Sequence, residues 1–234
     1  MIGFYDYTVI LTYLSLFSAG TGIFVSLSGS GHPYWGTFFL LFCGLCDAFD
    51  GQVARTKQNR TEAEKNYGIQ IDSLSDLVAF GVLPACIGMA LIKTSPMLQE
   101  LVTPDSTNIL FRIISILLFA VLVLYILAAL IRLAYFNVTE EERQRKEGGV
   151  RKSYLGLPVT SAALIFPSVM LLRYLLPFDI SILYFPIILI TGFLFLSKFK
   201  IPKLHLRGIL ILIGVGVIEC ILLLLFYLFF KKNG

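Results

Sequence analysis

Seven long apolar runs constrain the fold of this 234-residue chain more than any other feature of its sequence. A helix needs about 20 apolar residues to cross the roughly 30 Å hydrocarbon core of a bilayer. Runs of about this length cover residues 7–28, 34–54, 69–92, 109–136, 156–176, 181–197 and 207–230. Charged residues make up only 15% of the chain, against roughly 25% in soluble domains. The sequence therefore predicts one all-α domain over residues 1–234, a polytopic bundle of membrane helices.

The connecting segments contain most of the charged residues. Segment 93–108 contains two prolines and predicts a loop, and segment 138–153 predicts a solvated connector. With the N-terminus inside, segments 55–67, 137–155 and 198–207 contain thirteen lysines and arginines, against five on the outer side. Because cytoplasmic loops carry an excess of these residues, we expect an integral protein of the bacterial cell membrane with these three segments in the cytoplasm. The net charge of +4 fits such loops and requires no nucleic acid partner.

Four aspartates occur in two pairs, Asp47 with Asp50 near the end of the second apolar run and Asp72 with Asp76 near the start of the third. Residues three or four positions apart share one face of a helix, so two helices joined by segment 56–67 would bring the carboxylates together. Like charges in a partly dry site destabilise one another, and a divalent cation removes this repulsion. Ligation by oxygen alone favours Mg²⁺, Mn²⁺ or Ca²⁺ over zinc. The sequence therefore predicts a metal site near the cytoplasmic ends of these helices.

The same stretch contains eight positions with fixed residue types and nearly fixed gaps. They are Asp47, Asp50, Gly51, Ala54, Arg55, Gly68, Asp72 and Asp76. This order resembles the signature of the CDP-alcohol phosphotransferases, membrane enzymes that displace CMP from a CDP-activated alcohol, often CDP-diacylglycerol. Twelve residues separate Arg55 from Gly68, more than the eight or nine usual in the family. We expect these additional polar residues to form a longer solvated loop.

The resemblance implies a fold and a set of partners. It implies a six-helix catalytic core at about residues 7–197, and residues 207–230 would add one further C-terminal membrane helix. Two divalent ions, Mg²⁺ or Mn²⁺, would bind the diphosphate of the CDP-linked lipid. Relatives are homodimers, so a homodimer is expected here as well.

The resemblance also implies a role for each motif residue. The metal ligands would be Asp47, Asp50, Asp72 and Asp76. Asp76 would be a ligand of the second metal, the catalytic general base, or both. The nucleotide or its diphosphate would contact Gly51, Ala54, Arg55 and Gly68, since glycine admits close approach to the backbone.

Three further stretches resemble the phosphatidylserine synthase branch of this family. They are Phe80-Gly81-x2-Pro84, Arg132–Val138 and Gly156–Pro158. The branch implies that the hydroxyl of L-serine attacks the lipid-bearing phosphorus of CDP-diacylglycerol and releases CMP. Arg132 lies within an apolar run, which is costly unless it faces a cavity or a partner. We expect it to bind the substrate carboxylate or the diphosphate, with snorkelling to the interface as the alternative, and we expect Arg151 and Lys152 to guide an anionic headgroup.

Two other kinds of protein compete with this interpretation. Within the family, phosphatidylglycerophosphate and phosphatidylinositol-phosphate synthases use a phosphorylated acceptor, and the isolated Arg132 argues against such an acceptor. From a different class, a membrane cation transporter would use the carboxylates as an ion pathway. Transporter acids usually lie near the midplane on interrupted or repeated helices, whereas these lie at one edge. Beyond residue 176 the helices are expected to provide packing or a dimer surface, and Glu219 has no assigned role.

Overall fold

The computed structural model of the protein describes residues 3–102, 109–146, 153–176, 178–202 and 206–233. Over these residues the chain forms nine α-helices and one pair of three-residue strands. The helices are α1 (Ile10–Leu27), α2 (Pro33–Thr56), α3 (Glu62–Asp76), α4 (Leu83–Thr94), α5 (Pro96–Val102), α6 (Ile109–Lys146), α7 (Ala162–Leu175), α8 (Tyr184–Leu196) and α9 (Leu206–Asn233). Short 3₁₀ turns precede α1, α7 and α8.

The apolar helices confirm the predicted polytopic membrane bundle. Four stretches are long and apolar enough to cross a membrane: Tyr7–Leu27, Pro33–Thr56, Glu62–Thr94 and Ile109–Arg143. Three shorter apolar helices follow: Val159–Arg173, Ser181–Leu196 and Ile211–Leu225. These seven segments coincide with the seven apolar runs of the sequence, because the length of an apolar run is a local property that packing does not alter.

The prediction of a loop over residues 93–108 was wrong for Pro96–Val102, which forms α5. Proline is tolerated in the first turn of a helix, where its missing N–H would have no helical partner. The hydroxyl oxygen of Ser95 accepts a hydrogen bond from the Leu98 N–H, at 3.2 Å, and caps this turn. The same hydroxyl donates to Oδ2 of Asp179, at 2.6 Å. A polar clamp therefore joins the start of α5 to the connection between α7 and α8.

The prediction of a solvated connector at residues 138–153 was also wrong over its first half, because α6 continues to Lys146. The guanidinium of Arg143 lies one turn beyond Glu140, and its Nη2 is 2.6 Å from Oε1 of that residue. Opposite charges three residues apart lie on one face of a helix and support it. The mixed charges of this segment therefore stabilise an extension of α6.

The start of α3 also differs from the predicted loop over residues 56–67. The helix begins at Glu62 with Thr61 as its N-cap. The Thr61 hydroxyl accepts from the Glu64 N–H at 3.2 Å, and the Glu64 carboxylate accepts from the Thr61 N–H at 2.8 Å. This reciprocal pair is a capping box. It shortens the loop between α2 and α3 and fixes where α3 begins.

A π-helical segment, Leu77–Val82, connects α3 to α4 without a break. Pro84 lacks an N–H, so the carbonyl of Phe80 loses the donor that an α-helix would supply. The Tyr125 hydroxyl from α6 donates to this carbonyl at 2.6 Å. The Tyr184 hydroxyl from α8 donates to the Pro84 carbonyl at 2.7 Å. Two buried tyrosines therefore fix α6 and α8 against the helix that follows the second aspartate pair.

Aromatic packing extends this contact into the core. The ring of Tyr125 lies 5.6 Å from that of Phe166 and 5.5 Å from that of Phe195, measured between centroids. The Phe166 ring lies 5.1 Å from the Tyr184 ring. All four side chains are fully or almost fully buried. They unite α6, α7 and α8 behind the π-helical segment.

The short strands Ser153–Leu155 (β1) and Lys200–Pro202 (β2) pair in antiparallel fashion. They join the segment before α7 to the segment after α8. Gly156 follows β1 with a positive φ of 70°, and an added Cβ atom would lie 2.5 Å from the Ser197 carbonyl oxygen. Its N–H donates to the Phe199 carbonyl at 2.7 Å. Only glycine fits this close approach, so the Gly-Leu-Pro stretch is held against the end of α8.

Candidate metal and nucleotide site

Three of the four aspartates lie together where α2 meets α3. One carboxylate oxygen from each of Asp47, Asp50 and Asp72 lies within 4.8 Å of the other two. Asp76 lies outside this group, one helical turn beyond Asp72, and its side chain lines the same cavity as Asp47 and Asp72. The two helices therefore bring together residues that are separated by more than twenty positions in the chain.

The donor set fits a divalent cation. Oδ1 of Asp72 is buried and has no hydrogen-bond partner among the described residues. A buried acceptor without a partner is costly, and neighbouring carboxylates in a site of low dielectric constant repel one another. A cation that prefers oxygen ligands, such as Mg²⁺ or Mn²⁺, would remove both penalties. The described residues therefore fit such an ion.

A cavity of about 780 Å³ adjoins the aspartates. Its charged lining consists of Asp47, Arg55, Asp72, Asp76 and Arg132. Most of its remaining lining is apolar and comes from α2, α7 and α9: Phe38, Leu41, Phe42, Leu45, Ala163, Leu164, Leu212, Ile213, Val217 and Ile221. A single space therefore offers acidic and basic groups together with an apolar wall.

The last helix contributes more than the packing expected beyond residue 176. The Tyr34 hydroxyl of α2 donates a hydrogen bond to the Leu223 carbonyl of α9. The Ser168 hydroxyl of α7 donates to Oε1 of Glu219, which gives this carboxyl group a structural role. These two bonds hold α9 against α2 and α7, so that its apolar residues form one wall of the cavity.

Arg132 lies at the cavity and is only 6% exposed. Its Nε donates to the Leu157 carbonyl at 3.2 Å, and its guanidinium carbon lies 5.8 Å from the centroid of the Phe136 ring. The side chain therefore faces the interior, and the snorkelling alternative does not describe it. Its role with the acceptor or the diphosphate stays a prediction. Arg151 and Lys152, the other two predicted acceptor residues, lie outside the described residues.

The four residues predicted to bind the nucleotide differ in their surroundings. Arg55 lines the cavity, and a Cβ atom at Gly51 would lie 3.6 Å from its Nη1, an ordinary contact. A Cβ atom at Gly68, in contrast, would lie 2.7 Å from Nη2 of Arg60. The Ala54 carbonyl accepts from Nη1 of the same arginine at 3.5 Å. Arg60 therefore lies across two of the four predicted nucleotide residues.

Sequence reasoning missed Arg60 because it lies outside the family signature, in the additional residues between Arg55 and Gly68. The capping box at Thr61 and Glu64 was a usable signal, since it places α3 directly after Arg60. Asn137 was also missed as a contact residue. Its side-chain amide donates to the Ser73 hydroxyl at 2.7 Å and ties α6 to α3 beside the second aspartate pair.

A polytopic helical bundle with clustered carboxylates beside an apolar cavity defines an integral membrane protein with a candidate cation site. The chain belongs to the CDP-alcohol phosphatidyltransferase family, whose family model matches residues 8–218. This match confirms the family resemblance drawn from the aspartate motif.

Several relatives have names from one branch of that family. The chain is 33% identical to the CDP-diacylglycerol–serine O-phosphatidyltransferase of Saccharomyces cerevisiae over 181 residues, which cover 74% of this chain and 56% of the yeast protein. It is 29% identical to the archaetidylserine synthase of Methanothermobacter thermautotrophicus over 198 residues, 83% of this chain and 70% of that protein. A Helicobacter pylori CDP-diacylglycerol–serine O-phosphatidyltransferase is 27% identical over 162 residues, 68% of this chain and 56% of that protein. The chain thus spans little more than half of the yeast and H. pylori relatives.

Proposed function

We propose that this protein is a CDP-diacylglycerol–serine phosphatidyltransferase, which transfers the phosphatidyl group to L-serine and releases CMP. The observation that carries the proposal is the cavity that joins Asp47, Asp72 and Asp76 to an apolar wall. A diphosphate linked to a lipid needs charged and apolar surroundings in one space. The family match supports this enzyme class over a cation transporter, and the names of the relatives support serine as the acceptor.

The aspartates have distinct roles in this proposal. Asp47, Asp50 and Asp72 would hold divalent ions, Mg²⁺ or Mn²⁺, and Asp76 would be a further ligand, the general base, or both. Two bound ions would neutralise the negative charge that develops on the diphosphate as CMP leaves. The protein's own contribution is to hold these carboxylates on α2 and α3. The tyrosine hydrogen bonds to Phe80 and Pro84 fix the segment that follows α3 against α6 and α8.

The transfer itself is a direct displacement. The serine hydroxyl oxygen forms a bond to the lipid-bearing phosphorus, and the bond from that phosphorus to the oxygen of CMP breaks. Asp76 accepts the hydroxyl proton, because a carboxylate within hydrogen-bond reach of the nucleophile is a competent base. Arg132, buried at the cavity, binds the serine carboxylate or the diphosphate. A phosphorylated acceptor would add a further phosphate group to the site. Binding that phosphate would require a cluster of basic side chains.

The site faces the cytoplasm in this proposal, because the inner segments contain thirteen of the nineteen lysines and arginines. Water-soluble serine and CMP then reach the aspartates from the cytoplasm, while the lipid tails stay in the bilayer. The homodimer is part of the same proposal and is checked by the mass of the purified protein in detergent.

The decisive experiment measures CMP release from CDP-diacylglycerol by the purified chain with Mg²⁺ or Mn²⁺. Serine, glycerol 3-phosphate and inositol phosphate are compared as acceptors. Release that requires both serine and metal supports the proposal. Release with a phosphorylated acceptor would keep the chemistry and overturn serine, and the absence of release with every acceptor would overturn the proposal as a whole.

Replacing Asp76 with asparagine separates its two roles. As the general base, Asp76→Asn abolishes turnover and leaves binding of CDP-diacylglycerol largely intact. Asp179→Asn, outside the cavity lining, is the control and retains turnover at neutral pH. Equal loss of binding and turnover in Asp76→Asn would mean that this residue only holds metal.

A further inference from the structure

The guanidinium of Arg60 fills the space that the missing side chain of Gly68 leaves open. A Cβ atom there would lie 2.7 Å from Nη2, too close for any side chain to coexist with Arg60 in this position. Nη2 donates to the Glu64 carbonyl at 3.1 Å, and Nη1 donates to the Ala54 carbonyl at 3.5 Å. The side chain thus spans the loop between α2 and α3 and covers the backbone of α3.

The hydrogen bonds of Arg60 in this position are incomplete. Its Nε is buried and has no hydrogen-bond partner within the part of the chain that the structure describes. The bond from Nη1 to Ala54 lies at the long limit of hydrogen bonding. A guanidinium has five N–H donors in a rigid fork. A buried donor without an acceptor destabilises the side-chain conformation in which it occurs. An anionic ligand can therefore displace the Arg60 guanidinium from its position over Gly68 at low cost in free energy.

Charge favours the same conclusion. The candidate site contains four aspartates, and the substrate of the proposed function has a diphosphate. These negatively charged groups repel each other unless positive charges lie between them. Arg55 lines the cavity, and Arg60 follows it by one short loop. Arginine matches phosphate oxygens with two parallel hydrogen bonds and stacks on planar rings. The capping box of Thr61 and Glu64 fixes the backbone next to Arg60, and the Arg60 side chain is not part of this cap.

We propose that Arg60 is a nucleotide-binding residue that covers Gly68 until the nucleotide binds. The inference rests on the proposed function, because it takes the ligand to be the CMP portion of a CDP-linked lipid. The nucleotide occupies the space above Gly68 and displaces the guanidinium from the Ala54 and Glu64 carbonyls. The displaced guanidinium then pairs with the phosphate of the nucleotide. The space above Gly68 is therefore occupied first by Arg60 and then by the nucleotide.

The test measures the dissociation constant of CMP by titration calorimetry, with the purified chain in detergent and Mg²⁺ present. We expect Arg60→Ala to weaken CMP binding about 10- to 150-fold, the range that a lost charge-assisted hydrogen bond of about 1.5–3 kcal/mol produces. Arg60→Lys keeps the charge without the fork and is expected to bind with intermediate affinity. Lys65→Ala removes an exposed cation from the first turns of α3 and is expected to change the constant less than about twofold.

Each outcome of this titration decides a separate point. Unchanged or tighter CMP binding by Arg60→Ala would overturn the inference, since Arg60 would then be an obstacle or a bystander. Equal weakening by Lys65→Ala would also overturn it, because the effect would be one of overall charge. If the unaltered protein itself binds no CMP in the presence of metal, the proposed function fails and not this inference alone.

A second pair of variants tests the shared space. Gly68→Ala is expected to weaken CMP binding both in the unaltered background and together with Arg60→Ala, because the added methyl group occupies the nucleotide's position. If Arg60→Ala fully restores the affinity lost in Gly68→Ala, the glycine serves only to admit the arginine. That result would overturn the shared site. Unfolding temperatures of all variants are compared, and Arg60→Lys keeps the test valid if Arg60→Ala proves unstable.

Discussion

Replacing Tyr125 with phenylalanine removes one oxygen atom from the centre of the bundle. Tyr125 is 1% exposed, and its hydroxyl donates to the Phe80 carbonyl at 2.6 Å. Pro84, four residues beyond Phe80, has no N–H to offer this carbonyl. The phenylalanine ring keeps the packing against Phe166 and Phe195, so the substitution isolates the hydrogen bond. It tests whether a tyrosine from α6 compensates for the proline after the aspartates.

The expected cost follows from the loss of the donor and the burial of the acceptor. Leaving a buried acceptor unsatisfied costs about 1–3 kcal/mol. For a chain of about 150–250 residues, each kcal/mol shifts the midpoint of thermal unfolding by about 2–4 °C. We therefore expect Tyr125→Phe to lower the unfolding temperature of the detergent-solubilised protein by several degrees. Tyr135→Phe, at a position 51% exposed, is the control and is expected to leave it unchanged.

Pro84→Ala makes the test quantitative. Alanine restores the N–H, and an α-helical register at this point would bring it to the Phe80 carbonyl, which would then depend less on Tyr125. In this background Tyr125→Phe is expected to cost less, with a coupling of about 0.5–3 kcal/mol between the two positions. Equal costs in both backgrounds, or no cost in either, would refute the assignment of the tyrosine as the substitute donor.

Two further predictions concern the connections around α7. Gly156→Ala is expected to destabilise the protein by more than 1 kcal/mol, because its φ of 70° strains any other residue and the added Cβ would lie 2.5 Å from the Ser197 carbonyl oxygen; an unfolding temperature equal to that of the original protein would contradict this. Burial alone would raise the pKa of Asp179, but hydrogen bonds from Ser181 and Ser95 outweigh it and lower the pKa to about 2 from an ordinary 3.8. The stabilisation is therefore complete above about pH 4 and is lost as the pH falls toward 2. Unfolding measured between pH 4 and pH 2 is expected to show a smaller loss of stability in Asp179→Asn, and an identical loss would exclude this carboxylate as a source.

The sequence predicted those features that depend on local composition. The lengths of the apolar runs predicted the seven helical segments, and the spacing of the two aspartate pairs predicted a common site for four carboxylates. The structure places carboxylate oxygens of Asp47, Asp50 and Asp72 within 4.8 Å of one another, and Asp76 lies outside this group. The signature also identified the family, which the match over residues 8–218 confirms. Because these signals require only residue type and interval, packing has little influence on them.

The features that were missed depend on contacts between distant segments or on capping. Helix α5 begins at Pro96, which was interpreted as a loop signal, and its cap at Ser95 becomes evident only with Asp179 beside it. The wall that α9 contributes to the cavity follows from its contacts with α2 and α7, which residue composition does not encode. The start of α3 is different, because the capping box at Thr61 and Glu64 was present in the sequence and was interpreted as a solvated loop.

Two separate parts of the chain line the cavity, because α9 forms one of its walls. The aspartates belong to α2 and α3, whereas Leu212, Val217 and Ile221 of the cavity wall belong to the last helix. A change of side-chain size on α9 therefore alters the width of the apolar space without displacing a carboxylate. In the proposed function, the preference for lipid tails would then depend on α9 and the headgroup chemistry on α2 and α3, so substitutions on the last helix would change the first without changing the second.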